Sequence, residues 1–210
     1  MKLVVVAGTA TEVGKTWVGA ALARQLRGRS LTVAARKPVQ SFAPGEGPTD
    51  AEVLAAATGE QPHDVCPAHR WLGVPMAPPM AADVLGLPPF SLADLLADVR
   101  WPDSVDVGLL EGVGGPVSPI SSDGDTVAMA EQAGADLVVL VADAGLGTVN
   151  AVRLSAAAFG TRPVVTILNR FDEGDDLHRR NRDWLVKEDG LTVVTDVGDL
   201  GDAVWGRMDA

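Results

Sequence analysis

The chain has 210 residues, 47% of them apolar, one cysteine and a formal net charge of −11. Those numbers allow one sizeable α/β domain with a packed core and argue against a disordered chain. The acidic balance argues against nucleic-acid and anionic-membrane partners, which need basic patches. A lone Cys66 excludes an internal disulfide framework and a multi-cysteine zinc site, and it reads as a structural thiol. No apolar run is long enough to span a bilayer. The opening residues enter a strand with no signal-peptide pattern, so a cytoplasmic protein is expected.

The apolar run Leu3–Ala7 predicts a first strand. Gly8-Thr9-Ala10-Thr11-Glu12-Val13-Gly14-Lys15-Thr16 follows, and a helix pattern runs over Lys15–Arg27. Strand, glycine loop and helix in that order aim backbone N–H groups and a helix N-terminus at a nucleotide phosphate. Lys15 would reach the β/γ-phosphates, and the Thr16 hydroxyl would hold Mg²⁺. Five residues, where the usual loop has four, separate Gly8 from Gly14-Lys15-Thr16.

Further strands are predicted at Leu31–Arg36, Val105–Leu110, Leu137–Ala142, Val164–Leu168 and Leu191–Thr195. Helices are predicted at Asp50–Thr58, Leu92–Val99, Thr126–Ala133, Val149–Ala158, Asp176–Val186 and Asp199–Arg207. Strands apolar on both faces indicate a mostly parallel sheet with helices on each side. The segment from Pro62 to Pro89 carries seven of the 14 prolines. It reads as a long irregular stretch covering the substrate side within one domain spanning residues 1–210.

In such folds the ligand crevice lies at the carboxyl ends of the strands. Lys37 follows the second strand and is held by Pro38, so it points toward the phosphates or into solvent. Glu111 follows the third strand, where an acid supports Mg²⁺ in nucleotide-hydrolysing folds, or serves as a turn residue. Asp50 starts a helix and reads equally as a dipole-stabilised carboxylate or a metal ligand. Mg²⁺ needs one or two carboxylates, a hydroxyl and phosphates, which Thr16, Asp50 and Glu111 would meet. A second glycine-containing loop, Asp143 to Asn150, feeds a helix and reads as another anion site or a plain turn. Asn169 ends the fifth strand, where an Asn can pair with an adenine edge or close a turn. The three histidines show no ligand spacing, and the five tryptophans read as core or groove filling.

Together these elements resemble the dethiobiotin synthetases. The lengthened loop, Lys37-Pro38-Val39, Glu111-Gly112-Val113-Gly114-Gly115, Gly145–Asn150 and Asn169 all match motifs of that family. The resemblance implies a P-loop α/β fold and an ATP-dependent ring closure of 7,8-diaminopelargonic acid with CO₂. It implies Mg²⁺, a homodimer with a shared site, and catalytic roles for Lys37, Lys15 and Thr11. Glu12, Val13, Gly14, Lys15, Thr16 and Asn169 would bind the nucleotide. Thr11, Lys37, Ser41 and Gly114 would meet the substrate, as would Gly147, Thr148, Val149 and Asn150 from the other subunit. Three features depart from the family. Met129 stands where an Asp is usual, Thr195–Asp199 replaces a base-clamping Gly-x-Ile-Pro, and the loop from Ser41 to Asp50 is short. A related ligase such as cobyrinic acid a,c-diamide synthase would need a glutaminase region. A partitioning ATPase would need an early lysine in the loop, where Thr9 and Ala10 stand.

Overall fold

In this computed structural model residues 1–208 are described. The chain order begins β1 (Lys2–Gly8), α1 (Lys15–Gly28), β2 (Val33–Arg36), β3 (Gln40–Ser41), α2 (Asp50–Thr58), α3 (Pro62–Val65), β4 (Trp71–Leu72), α4 (Pro78–Val84) and α5 (Leu92–Asp98). Then come β5 (Val107–Glu111), α6 (Thr126–Gln132), β6 (Leu137–Asp143), α7 (Thr148–Ala158), β7 (Val164–Asn169), α8 (Asp176–Lys187), β8 (Val193–Val194) and α9 (Val197–Met208). Among the described residues the main sheet has six parallel strands in the order β2-β5-β1-β6-β7-β8. The α/β fold expected from the apolar runs is present.

Alternation along the strands builds two cores. Val4 and Val6 of β1, with Val139 and Val141 of β6, face one side and pack under α1, α2 and α9 through Leu22, Leu54 and Leu200. Leu3, Val5 and Ala7, with Val138 and Leu140, face the other side, where Leu95, Met129, Val152 and Leu185 cover them. Each strand of this pair is therefore buried on both faces, as a parallel sheet between helical layers requires. Met129 is fully buried in the second core, so an Asp at this position would be an uncompensated buried charge.

The proline-rich segment is not irregular. It contains α3, a 3₁₀ turn at Ala68–Arg70, β4 and α4. Proline opens both helices because a first-turn N–H has no intrahelical acceptor, so its absence loses no helix hydrogen bond. β4 pairs with β3 in a short parallel ladder, Gln40 beside Trp71 and Ser41 beside Leu72. Two-residue strands carry no periodicity, which is why the sequence pattern missed them. Glu111 belongs to β5 itself rather than to the following turn, and α9 begins at Val197 rather than Asp199. No helix among the described residues is long and apolar enough to cross a membrane.

Leu140 sits at the centre of the sheet with no solvent exposure. Leu140→Ala should therefore destabilise the fold by about 3 kcal/mol, read as a lower urea midpoint with an unchanged slope.

Candidate functional site

β1 runs between β5 and β6, with Val6 beside Glu111 and Gly8 beside Val141. The glycine loop therefore emerges next to the acid that ends β5. Backbone conformation in this loop is unusual. Glu12 has φ 63° and Gly14 has φ 95°, both left-handed. Only glycine enters that region freely, so Glu12 is held there by its surroundings. Its carbonyl accepts a hydrogen bond from Arg170 Nη2 at 3.0 Å, and the Val13 carbonyl accepts one from Asn169 Nδ2 at 2.9 Å. A Cβ at Gly14 would lie 2.2 Å from Asn169 Nδ2, so no larger residue fits there. Lys15 folds back over the loop and its Nζ donates to the Ala10 carbonyl at 3.1 Å. Gly8 makes room for it, since a Cβ there would lie 2.9 Å from the Lys15 chain.

Two strand ends and the starts of two helices meet at Thr16. Its Oγ1 lies 2.7 Å from Asp50 Oδ1 and 2.9 Å from Glu111 Oε1. Lys37 Nζ lies 2.6 Å from the same Glu111 oxygen, 2.7 Å from Asp50 Oδ2 and 3.1 Å from the Gly112 carbonyl. Both Lys37 and Glu111 are buried. Asp50 reaches this point because α2 is anchored twice. Thr49 and Glu52 form a capping box, and Gln40 Oε1 of β3 accepts the Ala51 N–H at 3.0 Å. The short loop before Asp50 thus delivers its carboxylate to the cluster.

A hydroxyl has one proton to donate, yet two carboxylates lie within hydrogen-bonding distance of Thr16. Glu111 Oε2 is buried with no hydrogen-bond partner. Lys37 is the ammonium in direct contact with both carboxylates, and the Lys15 charge acts on them from farther off. Burial raises the Glu111 carboxyl above its ordinary value, against the pull of Lys37. Burial would also raise Asp50, but the Lys37 ammonium outweighs it and holds that carboxyl below its ordinary value. Burial would lower Lys37, and Asp50 and Glu111 together hold it above the usual lysine range. Two carboxylates and a hydroxyl, all hard oxygen donors, fit Mg²⁺. Among the described residues no group of three or more His, Cys, Asp or Glu side chains could hold a metal ion, so phosphate oxygens would have to complete such a shell.

The cluster floors a cavity of about 810 Å³. Thr11, Glu12, Gly14, Lys15, Ser41 and Gly114 line it, as their motifs suggested. Glu46, Met76, Ser118 and Arg170 also line it and carry no motif signal, although Arg170 directly follows Asn169 at a strand end. Pro75, Met76 and Ala77 bring the proline-rich segment to the cavity wall. Asn169 is separate. It lines an adjoining cleft with Trp17, Phe171 and Thr195–Val197, joined to the first cavity at Gly14 and Arg170. Thr195–Val197, where the base-clamping motif is missing, therefore still faces the loop. Gly147, Thr148, Val149 and Asn150 line neither cavity. Gly147 caps α7 with φ 92°, and Thr148 Oγ1 donates to the Asp143 carbonyl at 2.5 Å. Cys66 is buried, and burial pushes its thiol up to about 12, so it is unreactive.

A parallel sheet with a lysine-bearing glycine loop at the end of its central strand, and an acid on the neighbouring strand, defines a P-loop nucleotide-binding protein. The AAA domain family matches residues 2–205. A dethiobiotin synthetase of Rhodococcus jostii is 37% identical over 98% of this chain and 92% of its own length. One from Rhodococcus erythropolis is 32% identical over 99% and 97%. The chain belongs to the ATP-dependent dethiobiotin synthetase family. Its fold is also similar to a cobyrinic acid a,c-diamide synthase of Mycobacterium smegmatis (TM-score 0.57, 13% identity, 100% of this chain and 96% of that one). A plasmid partition protein of Borrelia burgdorferi shares the fold as well (TM-score 0.53, 12% identity, 97% and 95%).

Lys15 is buried, and burial, followed by the nearby Lys37 charge, lowers its pKa from 10.5 to about 8. The unfolded chain therefore holds more protons than the folded one between about pH 8 and 10.5, and this residue's cost to stability is relieved as pH rises through that window. The stability of wild type relative to Lys15→Met should rise from pH 8 to 10.5 and stay flat below pH 7, by urea denaturation.

Proposed function

We propose that the chain catalyses the ATP-dependent closure of 7,8-diaminopelargonic acid and CO₂ to dethiobiotin, releasing ADP and phosphate. The observation that carries this reading is the placement of Lys37. It is a buried ammonium facing the substrate cavity, within 2.7 Å of two carboxylates that border the P-loop. The family relationship supplies the reaction, and the cavity chemistry agrees with it.

One substrate amine adds to CO₂, forming an N–C bond and losing a proton to give a carbamate. A carbamate oxygen then attacks the γ-phosphorus, and the bond to the β-phosphate oxygen breaks to release ADP. The second amine attacks the carbonyl carbon of this carbamic–phosphoric anhydride, and phosphate leaves as the ring closes. Phosphoryl transfer of this kind needs positioning and charge neutralisation more than covalent help from the protein. The backbone from Glu12 to Thr16 would cradle the phosphates, and Lys15 would pair with them. Thr16, Asp50 and Glu111 would hold Mg²⁺, which supplies charge neutralisation at the phosphate oxygens. With the carboxylates so engaged, Lys37 would turn its charge to the carbamate oxygen. Thr11, Ser41 and Gly114 would line the diamine end, and Asn169 would face the base.

The site requires a second subunit on this reading. Gly147–Asn150 do not line the cavity of their own chain, while Leu146 beside them is 91% exposed and Leu154 on the same helix 67%. A homodimer would cover those leucines and carry the start of α7 to a partner's cavity, where its N–H groups would hold the distal carboxylate. The proline-rich segment 62–89 would cover the substrate side, and the single domain would work in the cytoplasm.

Incubation with the diamine, bicarbonate, Mg²⁺ and ATP should yield dethiobiotin by mass spectrometry; a folded protein giving no product would overturn the assignment. Lys37→Gln leaves the proposed metal ligands in place. It should keep Mg-ATP affinity within about threefold by calorimetry while turnover falls at least ~100-fold, from lost transition-state charge stabilisation. Leu154→Glu should convert a dimer to a monomer in sedimentation and raise the KM for the diamine more than that for ATP.

A further inference from the structure

Trp17 has no role in the reaction above, and its position is unusual. It lies in the first turn of α1, one residue after Thr16, and is 59% exposed. Its neighbours Lys15 and Val18 are buried, so the indole projects away from the core beside the phosphate loop. It walls a cleft of about 570 Å³ with Gly14, Asn169, Arg170, Asp196 and Val197. Gly14 and Arg170 also line the phosphate cavity, so a molecule seated on the loop extends directly into this cleft. A second groove on the far side of the indole runs along α1 and does not include Gly14.

Two polar side chains of the cleft each give one atom to the scaffold. Asn169 Nδ2 donates to the Val13 carbonyl at 2.9 Å, and Asp196 Oδ1 accepts the Asp199 N–H at 2.9 Å. Those bonds brace the loop and the start of α9, and they leave Asn169 Oδ1, its second N–H and Asp196 Oδ2 for a base edge. The broad unsatisfied surface is the indole face. Every nucleobase has a π-face, and stacking strength grows with ring area.

We infer that Trp17 is the specificity-determining residue for the nucleotide: its indole stacks on the base, so the site selects by ring area and prefers purine over pyrimidine triphosphates. This rests on the nucleotide-site reading proposed above.

The test is calorimetric titration of the whole protein with the Mg²⁺ complexes of ATP, GTP, CTP and inorganic tripolyphosphate. Wild type should bind ATP and GTP more tightly than CTP. Trp17→Ala should weaken ATP and GTP by ~10-fold, level the purine advantage and leave tripolyphosphate unchanged, whereas Trp17→Phe should retain most of the affinity. If Trp17→Ala binds ATP as wild type does, or loses ATP and tripolyphosphate equally, the stacking role is overturned. If wild type binds neither ATP nor tripolyphosphate, the nucleotide-site reading itself fails, and this inference with it.

Discussion

The ion cluster of Lys37, Glu111, Asp50 and Thr16 is the constraint on which the rest of the site depends. It joins the end of β2, the end of β5, the start of α2 and the start of α1 within hydrogen-bonding distance. Burying Lys37 alone would be prohibitive, and burying Glu111 alone equally so. Each is tolerated because the other is there, so the two strand ends must arrive together. The balance is incomplete, however. Two carboxylates share one ammonium, and Glu111 keeps an oxygen without a partner. A cluster that satisfies most of its charge and leaves one oxygen over can hold its shape and would still attract a cation.

The lengthened loop is supported from a different direction. Asn169 and Arg170, at the end of β7, hold the Val13 and Glu12 carbonyls. β7 does not touch β1; β6 lies between them. The loop is therefore braced from two strands away, which supports the left-handed conformation of Glu12. The two cavities meet at this brace, at Gly14 and Arg170.

Legibility differed by element for physical reasons. Strands buried on both faces and the helices outside the proline-rich stretch left readable patterns, down to the seven-residue α5 and α6, and their order was readable. The P-loop, Lys37 and Glu111 were readable too, because each sits at a strand end where few chemistries are compatible. Asp50 was ambiguous, since a helix-start acid looks the same whether it caps or coordinates. β3 and β4 were invisible at two residues each, yet Gln40 in β3 is what ties α2 in place. Trp17 read as filler because exposure is a property of packing, not of local pattern.

Local chemistry alone determined the fold class, the phosphate loop and the family, because glycine spacing, strand apolarity and the residues that close each strand are all local. Tertiary structure decided what those residues face. It brought Asp50 across the short loop to Thr16 and left Gly147–Asn150 out of the lining of their own chain's cavity. It also left the Trp17 indole uncovered beside the loop. Each depends on how helices dock against the sheet and on which neighbours remain absent, and no run of sequence encodes that by itself.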